Sequence, residues 1–131
     1  MKKSLHTVLV IAIISFSLFT SCKKDKVYGC TDPTSINYNS SATDDNGTCK
    51  YTGKVTFWYN SSGTTATVTI NGQTGYITTF YPTYNPNCSS SGCATFTMET
   101  GTYSYHATST FSTWNGDVTV SKNGCTLVLF Q

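Results

Sequence analysis

The sequence predicts an all-β protein, a single seven-stranded β-sandwich preceded by a short disulfide-stapled segment. Charged residues make up only 11% of the chain, and Ser, Thr, Asn and Tyr dominate, a composition that favours strands and turns over helices. Apolar and polar residues alternate with period two over much of residues 51–131, and Gly and Asn turns separate these stretches. Because one half-buried sheet must cover its apolar face, the pattern indicates two packed sheets.

The seven strands are predicted from their apolar faces and from the turns between them. In chain order the strands are marked by Val55, Phe57 and Tyr59; Ala66, Val68 and Ile70; about Tyr76 to Tyr81; Ala94, Phe96 and Met98; Tyr103, Tyr105 and Ala107; Trp114, Val118 and Val120; and Leu127 and Leu129. Asn71-Gly72 and Asn123-Gly124 are typical of tight turns. Pro82 is expected to end the third strand.

The first 22 residues have the features of an export signal that ends in a cysteine. Lys2 and Lys3 precede an apolar run of about 15 residues, whereas a helix that spans a bilayer needs roughly 20. We therefore expect residues 1–21 to be cleaved. Small residues lead into Cys22 and a lysine-rich stretch follows, which resembles a bacterial lipoprotein signal. The resemblance implies that Cys22 is lipidated and becomes the mature N-terminus.

The chain is expected to divide into four parts. These are a signal peptide (1–21), a lipidated tether (22–29), a cysteine-bracketed segment (30–50) and a β-sandwich domain (51–131). The mature chain of about 110 residues is enough for one core, and its six lysines balance six acidic residues. Arginine is absent, so a nucleic-acid partner is not expected.

Six cysteines in a short exported chain indicate disulfides. With Cys22 used for lipid, five remain, so at least one thiol should be free or paired between molecules. The segment has too few apolar residues for a core of its own, and a Cys30–Cys49 bond is predicted to hold it, contributing about 3 kcal/mol.

The pairing of the other three cysteines depends on strand direction. If successive strands alternate, the loop that carries Cys88 and Cys93 lies at the opposite end of the sandwich from the turn before Cys125. This favours a Cys88–Cys93 bond. A loop that crosses the sandwich and brings Cys88 or Cys93 to Cys125 is the alternative.

The cysteine-bracketed segment contains a predicted helix start and a candidate cation site. Asp32 followed by Pro33 is typical of a helix N-terminus. The oxygen-bearing side chains that could hold calcium are those of Asp32, Asp44, Asp45 and Asn46. Their spacing does not fit an EF-hand, and the competing interpretation is a turn over residues 44–47 whose side chains bond the nearby backbone. No cofactor is expected, with calcium as the alternative.

Few residues suggest catalysis. His106 is the single histidine of the mature chain, and a small hydrolase, the remotest alternative, would pair it with Asp117 without any nucleophile elbow. A glycosidase would have to use Glu99 and Asp117. One histidine also makes a zinc site a weak hypothesis. We expect no enzyme.

Aromatic residues provide an alternative function. Trp58 and Trp114 are candidates for an exposed platform that binds a glycan or a peptide. The competing interpretation is packing, because the first and last strands often pair and Trp58 and Phe130 would then cover one another.

Three resemblances to known families extend these expectations. The segment Cys-Thr-Asp-Pro through Asn-Gly-Thr-Cys resembles a repeated element of Bacteroidota surface proteins, and residues 53–130 resemble uncharacterised Bacteroidota lipoproteins. The run from Gly101 onward looks like transthyretin-like or PEGA-type sandwiches, with an immunoglobulin-like sandwich as the alternative. Lys23 after Cys22 agrees with sorting to the outer membrane, with its periplasmic or surface face left open. The expected function is that of a non-catalytic envelope lipoprotein, a structural or protein-interaction module whose partners are the membrane and envelope proteins or glycans.

Overall fold

The computed structural model describes residues 24–61, 65–88 and 90–131. The predicted signal peptide and Cys22 lie outside the described residues. Within these ranges the chain forms nine strands and no helix. The described residues therefore include no membrane-spanning helix. The strands are β1 (Tyr28–Gly29), β2 (Asp44–Asp45), β3 (Thr52–Tyr59), β4 (Ala66–Ile70), β5 (Gln73–Ile77), β6 (Ala94–Glu99), β7 (Gly101–Thr108), β8 (Thr113–Val120) and β9 (Cys125–Phe130).

The strands form three sheets, and the all-β prediction is confirmed. A parallel pair, β1–β2, belongs to the N-terminal part of the chain. A three-stranded sheet has the order β6-β3-β9, with β9 parallel to β3, and a four-stranded antiparallel sheet has the order β5-β4-β7-β8. The predicted count of seven strands is wrong for the chain, which has nine because β1 and β2 form an additional pair. A strand of two residues is too short to show an alternation of apolar and polar residues.

The two larger sheets share one hydrophobic core, an arrangement consistent with a β-sandwich. Phe57 lies at its centre, fully buried, with its ring centroid 4.8 Å from that of Tyr105 and 5.5 Å from that of Phe130. The core side chains come from both sheets and are Val55, Phe57, Tyr59, Ala66, Val68, Ile70, Ile77, Ala94, Phe96, Met98, Ala107, Val118, Val120 and Phe130. The predicted apolar faces of the first, second and fourth strands of the body therefore form this core.

The sandwich has two distinct ends. At one end β3 and β9 begin and β8 terminates, and the cysteine-bracketed segment attaches there through Asp32, whose carboxylate accepts hydrogen bonds from Tyr51 Oη (2.6 Å) and Lys122 Nζ (3.0 Å). We call it the segment end. At the opposite end β3 and β9 terminate and the β7–β8 hairpin turns.

The connection from β5 to β6 covers the outer face of the three-stranded sheet. Thr56 and Trp58 point away from the core yet are buried, with 0% and 4% of their surface exposed. Tyr81 N donates to Tyr59 O (2.8 Å), which holds the start of the connection beside β3. Cys88, further along the connection, is bonded to Cys125 at the start of β9. The connection thus forms a partial third layer.

The predicted Cys88–Cys93 disulfide is wrong. Cys88 pairs with Cys125, and Cys93 is a half-buried free thiol whose pKa is raised by burial. The connection begins and ends opposite the segment end, as strand alternation requires, but between these points it crosses the sheet and reaches Cys125. The alternative with a crossing loop is the one observed.

Two strand predictions also need correction. The third strand of the body is Gln73–Ile77 and precedes the predicted range of about 76–81. In β9 the residues that face the core are Val128 and Phe130, whereas Leu127, paired with Thr56, lies on the outer face. Because the crossing connection covers that outer face, β9 is apolar on both sides, and a strand of that kind shows no clear alternation.

Candidate functional site

An aromatic groove lies at the end of the sandwich opposite the segment end. The end of β3, the β7–β8 hairpin and the end of β9 enclose a cavity of about 170 Å³. Its lining combines aromatic rings with hydroxyl and amide groups, and the residues are Tyr59, Ser61, Ser109, Phe111, Ser112, Trp114, Phe130 and Gln131. Half of the lining therefore offers ring surfaces and half offers hydrogen-bonding groups.

The aromatic floor of the groove is rigidly packed. Trp114 stacks on Phe130 with the ring centroids 4.8 Å apart and the planes 9° from parallel. Tyr59 meets Trp114 edge-on at 5.6 Å, and burial raises the pKa of its hydroxyl. Trp114 Nε1 donates to Gln131 O (3.1 Å), which fixes the rotation of the half-buried indole. Such pairs contribute about 0.5–1.5 kcal/mol beyond burial of their area.

One wall of the groove is an exposed phenylalanine on a tightly closed hairpin. Ser109 N donates to Ser112 O (2.8 Å), and the Ser109 hydroxyl accepts from Ser112 N (3.1 Å) and Phe111 N (3.3 Å). These bonds hold the tip, and Phe111 projects with 85% of its surface exposed. Its ring adds apolar surface at the edge of the cavity, beside the rings of the floor.

No protein-family model, curated protein or solved structure matches this chain.

The two tryptophans singled out in the sequence do not share a surface. Trp114 lines the groove, whereas Trp58 lies beneath the crossing connection, buried, with no hydrogen-bond partner for its Nε1 among the described residues. The prediction of Trp58 as a binding residue is therefore wrong, because an unforeseen third layer covers it. The serines of the groove had no signal in the sequence.

The cysteine-bracketed segment is held as predicted by a Cys30–Cys49 disulfide. Its hydrogen bonding begins before Cys30, since Val27 N donates to Thr43 Oγ1 (3.0 Å) and Lys26 forms an ion pair with Asp44 (2.7 Å). The part of residues 22–29 that acts as a tether is therefore shorter than the sequence predicts.

Asp32 joins the segment to the sandwich. Its carboxylate accepts hydrogen bonds from Tyr51 Oη (2.6 Å) and Lys122 Nζ (3.0 Å), and from Thr34 N (2.8 Å). Lys122 Nζ also lies 3.6 Å from the centre of the Tyr51 ring. The bond from Tyr51, followed by those from Thr34 and Lys122, holds the pKa of Asp32 well below its ordinary value, and bonding to Asp32 raises the pKa values of Tyr51 and Lys122.

The predicted helix at Asp32 is absent. Ser35 N bonds Asp32 O (3.1 Å) in a single turn, and the next amide, that of Ile36, bonds Lys50 O instead of continuing a helix. The side chain of Asn37 also bridges to residues 48–50, donating to Thr48 O and accepting from Lys50 N (both 2.7 Å). Bonds across the disulfide-closed loop therefore take the place of helical ones.

The four calcium candidates do not converge on a common point. Asp45 accepts from Gly47 N (3.0 Å) and Asn46 from Thr48 N (3.1 Å), so these residues form the turn that was the competing interpretation. Asp44 pairs with Lys26, and Asp32 faces the sandwich. Within residues 24–61, 65–88 and 90–131 no group of three His, Cys, Asp or Glu side chains is arranged to hold a metal ion.

The residues considered for catalysis are paired with other partners. His106 Nδ1 is 2.6 Å from Asn115 Oδ1, and Asp117 accepts from Ser104 Oγ (2.6 Å), all on the outer face of the four-stranded sheet. Glu99 lies at the segment end in an ion pair with Lys50 (3.3 Å). The structure brings none of the three acidic and imidazole groups into the groove.

A larger depression of about 320 Å³ lies at the segment end. Its lining is mostly backbone and hydroxyl groups with one charged side chain, and the residues are Thr52, Gly53, Lys54, Thr97, Asn123, Gly124 and Cys125. It offers neither aromatic surfaces nor a group of catalytic residues, and the groove at the opposite end is the better candidate for recognition.

Asp32→Asn should destabilise the protein in a pH-dependent manner. Because the folded-state pKa of Asp32 is lowered, its contribution to stability is fully present above the unfolded-state pKa of about 3.9, decreases below it, and is lost only as the pH falls through the folded-state pKa. The difference in the free energy of unfolding between wild type and variant should therefore be larger at pH 7 than at pH 3, as measured by urea denaturation. Asp117→Asn is the control for loss of an exposed carboxylate. A difference that is equal at the two pH values would contradict the role given to Asp32.

Proposed function

We propose that this protein is a non-catalytic lipoprotein of the bacterial cell envelope, held in the outer membrane by lipid on Cys22 and acting as an interaction module. The placement of its two ends carries the proposal. The chain that follows Cys22 enters at the segment end, whereas the aromatic groove lies at the opposite end. An eight-residue strand such as β3 separates them by about 26 Å. A lipid at one end would leave the groove facing away from the bilayer.

Three further features support the proposed location. Disulfides at Cys30–Cys49 and Cys88–Cys125 suit the oxidising environment outside the cytoplasm. Lys23 after Cys22 is the feature that supports the outer membrane. The sequence before Cys22 supports export, since its apolar run is too short to span a bilayer.

For the fold we propose the transthyretin-like form of the sandwich. In an immunoglobulin-like sandwich the first strand belongs to the sheet of the second, fourth and fifth strands. Here the first strand of the body, β3, lies between the fourth and the seventh, β6 and β9. The second, third, fifth and sixth strands form the other sheet. This distribution supports the transthyretin-like alternative.

Metabolic labelling tests the proposed lipid anchor. Cells that express the protein and are fed an alkyne analogue of palmitate should incorporate the label into the wild-type chain. Cys93→Ala, which removes the free thiol of the described residues, should be labelled equally. An unlabelled wild-type chain, or label that disappears with Cys93, would refute acylation at Cys22.

A glycan- or peptide-binding module is the second candidate, and the groove favours it. Trp114 and Phe111 offer ring surfaces on which a sugar ring or an apolar side chain could pack. Ser109, Ser112 and the amide of Gln131 supply hydrogen-bonding groups beside them. This is the combination that orients a ligand in a small site.

Phe111→Ser tests the groove without disturbing the core. Because Phe111 is exposed, the variant should fold with wild-type stability, yet it should bind any ligand found on a glycan or peptide array about tenfold more weakly. Tryptophan fluorescence reports binding, since Trp114 lines the groove and Trp58 is buried elsewhere. Tyr76→Ser, an exposed aromatic of β5, is the matched control. Equal affinity of both variants for the ligand would exclude the groove.

A further inference from the structure

The first folded residues of the chain carry four large apolar side chains that are exposed. Val27, Tyr28, Ile36 and Tyr38 are 40%, 63%, 54% and 46% exposed. All four belong to residues 27–38, a stretch that contributes only Cys30 and Ser35 to the buried side chains. We call these four residues the entry surface. Neither the core nor the groove accounts for it.

The entry surface is held in place by the folded segment. Tyr28 belongs to β1, which pairs with β2, and Tyr38 forms a bridge with Cys30 beside it. The amide of Ile36 is bonded to Lys50 O. The segment is in turn joined to the sandwich through Asp32, Tyr51 and Lys122. These side chains are therefore presented at a fixed end of the molecule.

The length of the tether limits how far this surface lies from the lipid. Val27 follows Cys22 by five residues, which span at most about 18 Å even when fully extended. Backbone and side-chain bonds at Lys26 and Val27 keep the folded segment next to this short linker. A tyrosine side chain has an apolar ring and a polar hydroxyl, which suits it to the headgroup region of a bilayer. The entry surface combines two tyrosines with two aliphatic side chains.

The charges around the entry surface are compatible with a membrane. Lys24, Asp25 and Lys26 lie in the chain just before it, and Lys26 and Asp44 neutralise one another in an ion pair. Asp32 faces the sandwich in its bonds with Tyr51 and Lys122.

We propose that the entry surface rests on the headgroup layer of the membrane that holds the Cys22 lipid. This inference depends on the proposed lipid anchor. The contact would orient the sandwich with its segment end on the bilayer and its aromatic groove pointing away. Without it, attachment through the lipid alone would leave the orientation of the groove undetermined.

Hydroxyl-radical footprinting of the lipidated protein on vesicles of phosphatidylethanolamine and phosphatidylglycerol tests this orientation. Tyr28 and Tyr38 belong to the entry surface, whereas Tyr76 and Tyr84, 61% and 64% exposed, lie in β5 and in the crossing connection. Oxidation of the first pair should fall about threefold or more relative to the unlipidated mature chain, because contact with the headgroups excludes water. Oxidation of the second pair should not change.

The outcomes separate this inference from the anchor itself. Protection confined to Tyr28 and Tyr38 supports the membrane contact. Vesicle-bound protein in which all four tyrosines react as in solution, or all four are protected, overturns the contact and leaves the anchor in place. Protein that does not bind the vesicles overturns the anchor, and the contact is lost with it.

Discussion

Cys22→Ala should transfer the protein from the membrane fraction to the soluble fraction of the envelope. The proposed attachment is by acyl chains on the sulfur of Cys22, and alanine has no sulfur to carry them. Each buried methylene of an acyl chain contributes about 0.8 kcal/mol, and stable attachment requires more than one chain. Removal of the acylated sulfur should therefore abolish retention almost completely. Fractionation followed by immunoblotting measures the change.

The control variants keep this prediction falsifiable. Cys93→Ala should remain with the membrane, because the free thiol of the described residues has no part in the anchor. A failure of leader cleavage in Cys22→Ala could itself retain the chain. A second variant therefore replaces residues 1–22 with a secretory leader that is cleaved without lipidation. Membrane retention of the mature product of that variant would contradict the proposed anchor.

The double variant Cys88→Ser/Cys125→Ser should lose about 4 kcal/mol of stability, given the 37-residue separation of the bonded cysteines. This bond attaches the crossing connection to the start of β9, so its loss should also loosen the layer over Trp58. Urea denaturation should show a lower midpoint, and the tryptophan emission of the folded variant should shift towards that of a solvated indole.

Cys93→Ser is the matched control for the double variant. It also removes a cysteine of the connection region but leaves both disulfides intact, and its cost should stay below about 1 kcal/mol. If Cys93→Ser were as destabilising as the double variant, or if Trp58 stayed unperturbed in both, the Cys88–Cys125 pairing would be contradicted.

Local signals in the sequence were sufficient for much of the fold. Asn71-Gly72 predicted a hairpin, and both residues adopt positive φ (47° and 72°) between β4 and β5, as a type I′ turn requires. Val55 and Phe57 alternate with polar neighbours and face the core. The two-residue strands of the N-terminal region were missed because they are too short to show any period.

Long-range features of the fold were harder to predict. Nothing local to Cys88 indicates that its loop crosses a sheet, and the strand-parity argument fixes only where a loop starts and ends. The same crossing buries Trp58. One unforeseen connection therefore accounts for the wrong disulfide and the misplaced platform residue, whereas the register of β9 with β3 places Leu127 on the outer face.

The candidate site was predictable in part. Trp114 was identified as a binding candidate from its residue type, and it lines the groove. Its partners Tyr59 and Phe130 come from strands distant in sequence, and their meeting depends on the parallel pairing of β3 with β9. The acidic residues suggested a cation, but their oxygens bond to nearby backbone or to lysine, a competition that composition does not reveal.

The intact mass of the mature protein extracted from its native membrane tests the central claim most directly. The account predicts a chain that begins at Cys22, lacks residues 1–21 and carries the added mass of lipid on the first residue, together with two disulfides and one free thiol. A mass that retains residues 1–21, or that corresponds to an unmodified Cys22, would contradict the lipid anchor and with it the proposed orientation of the groove.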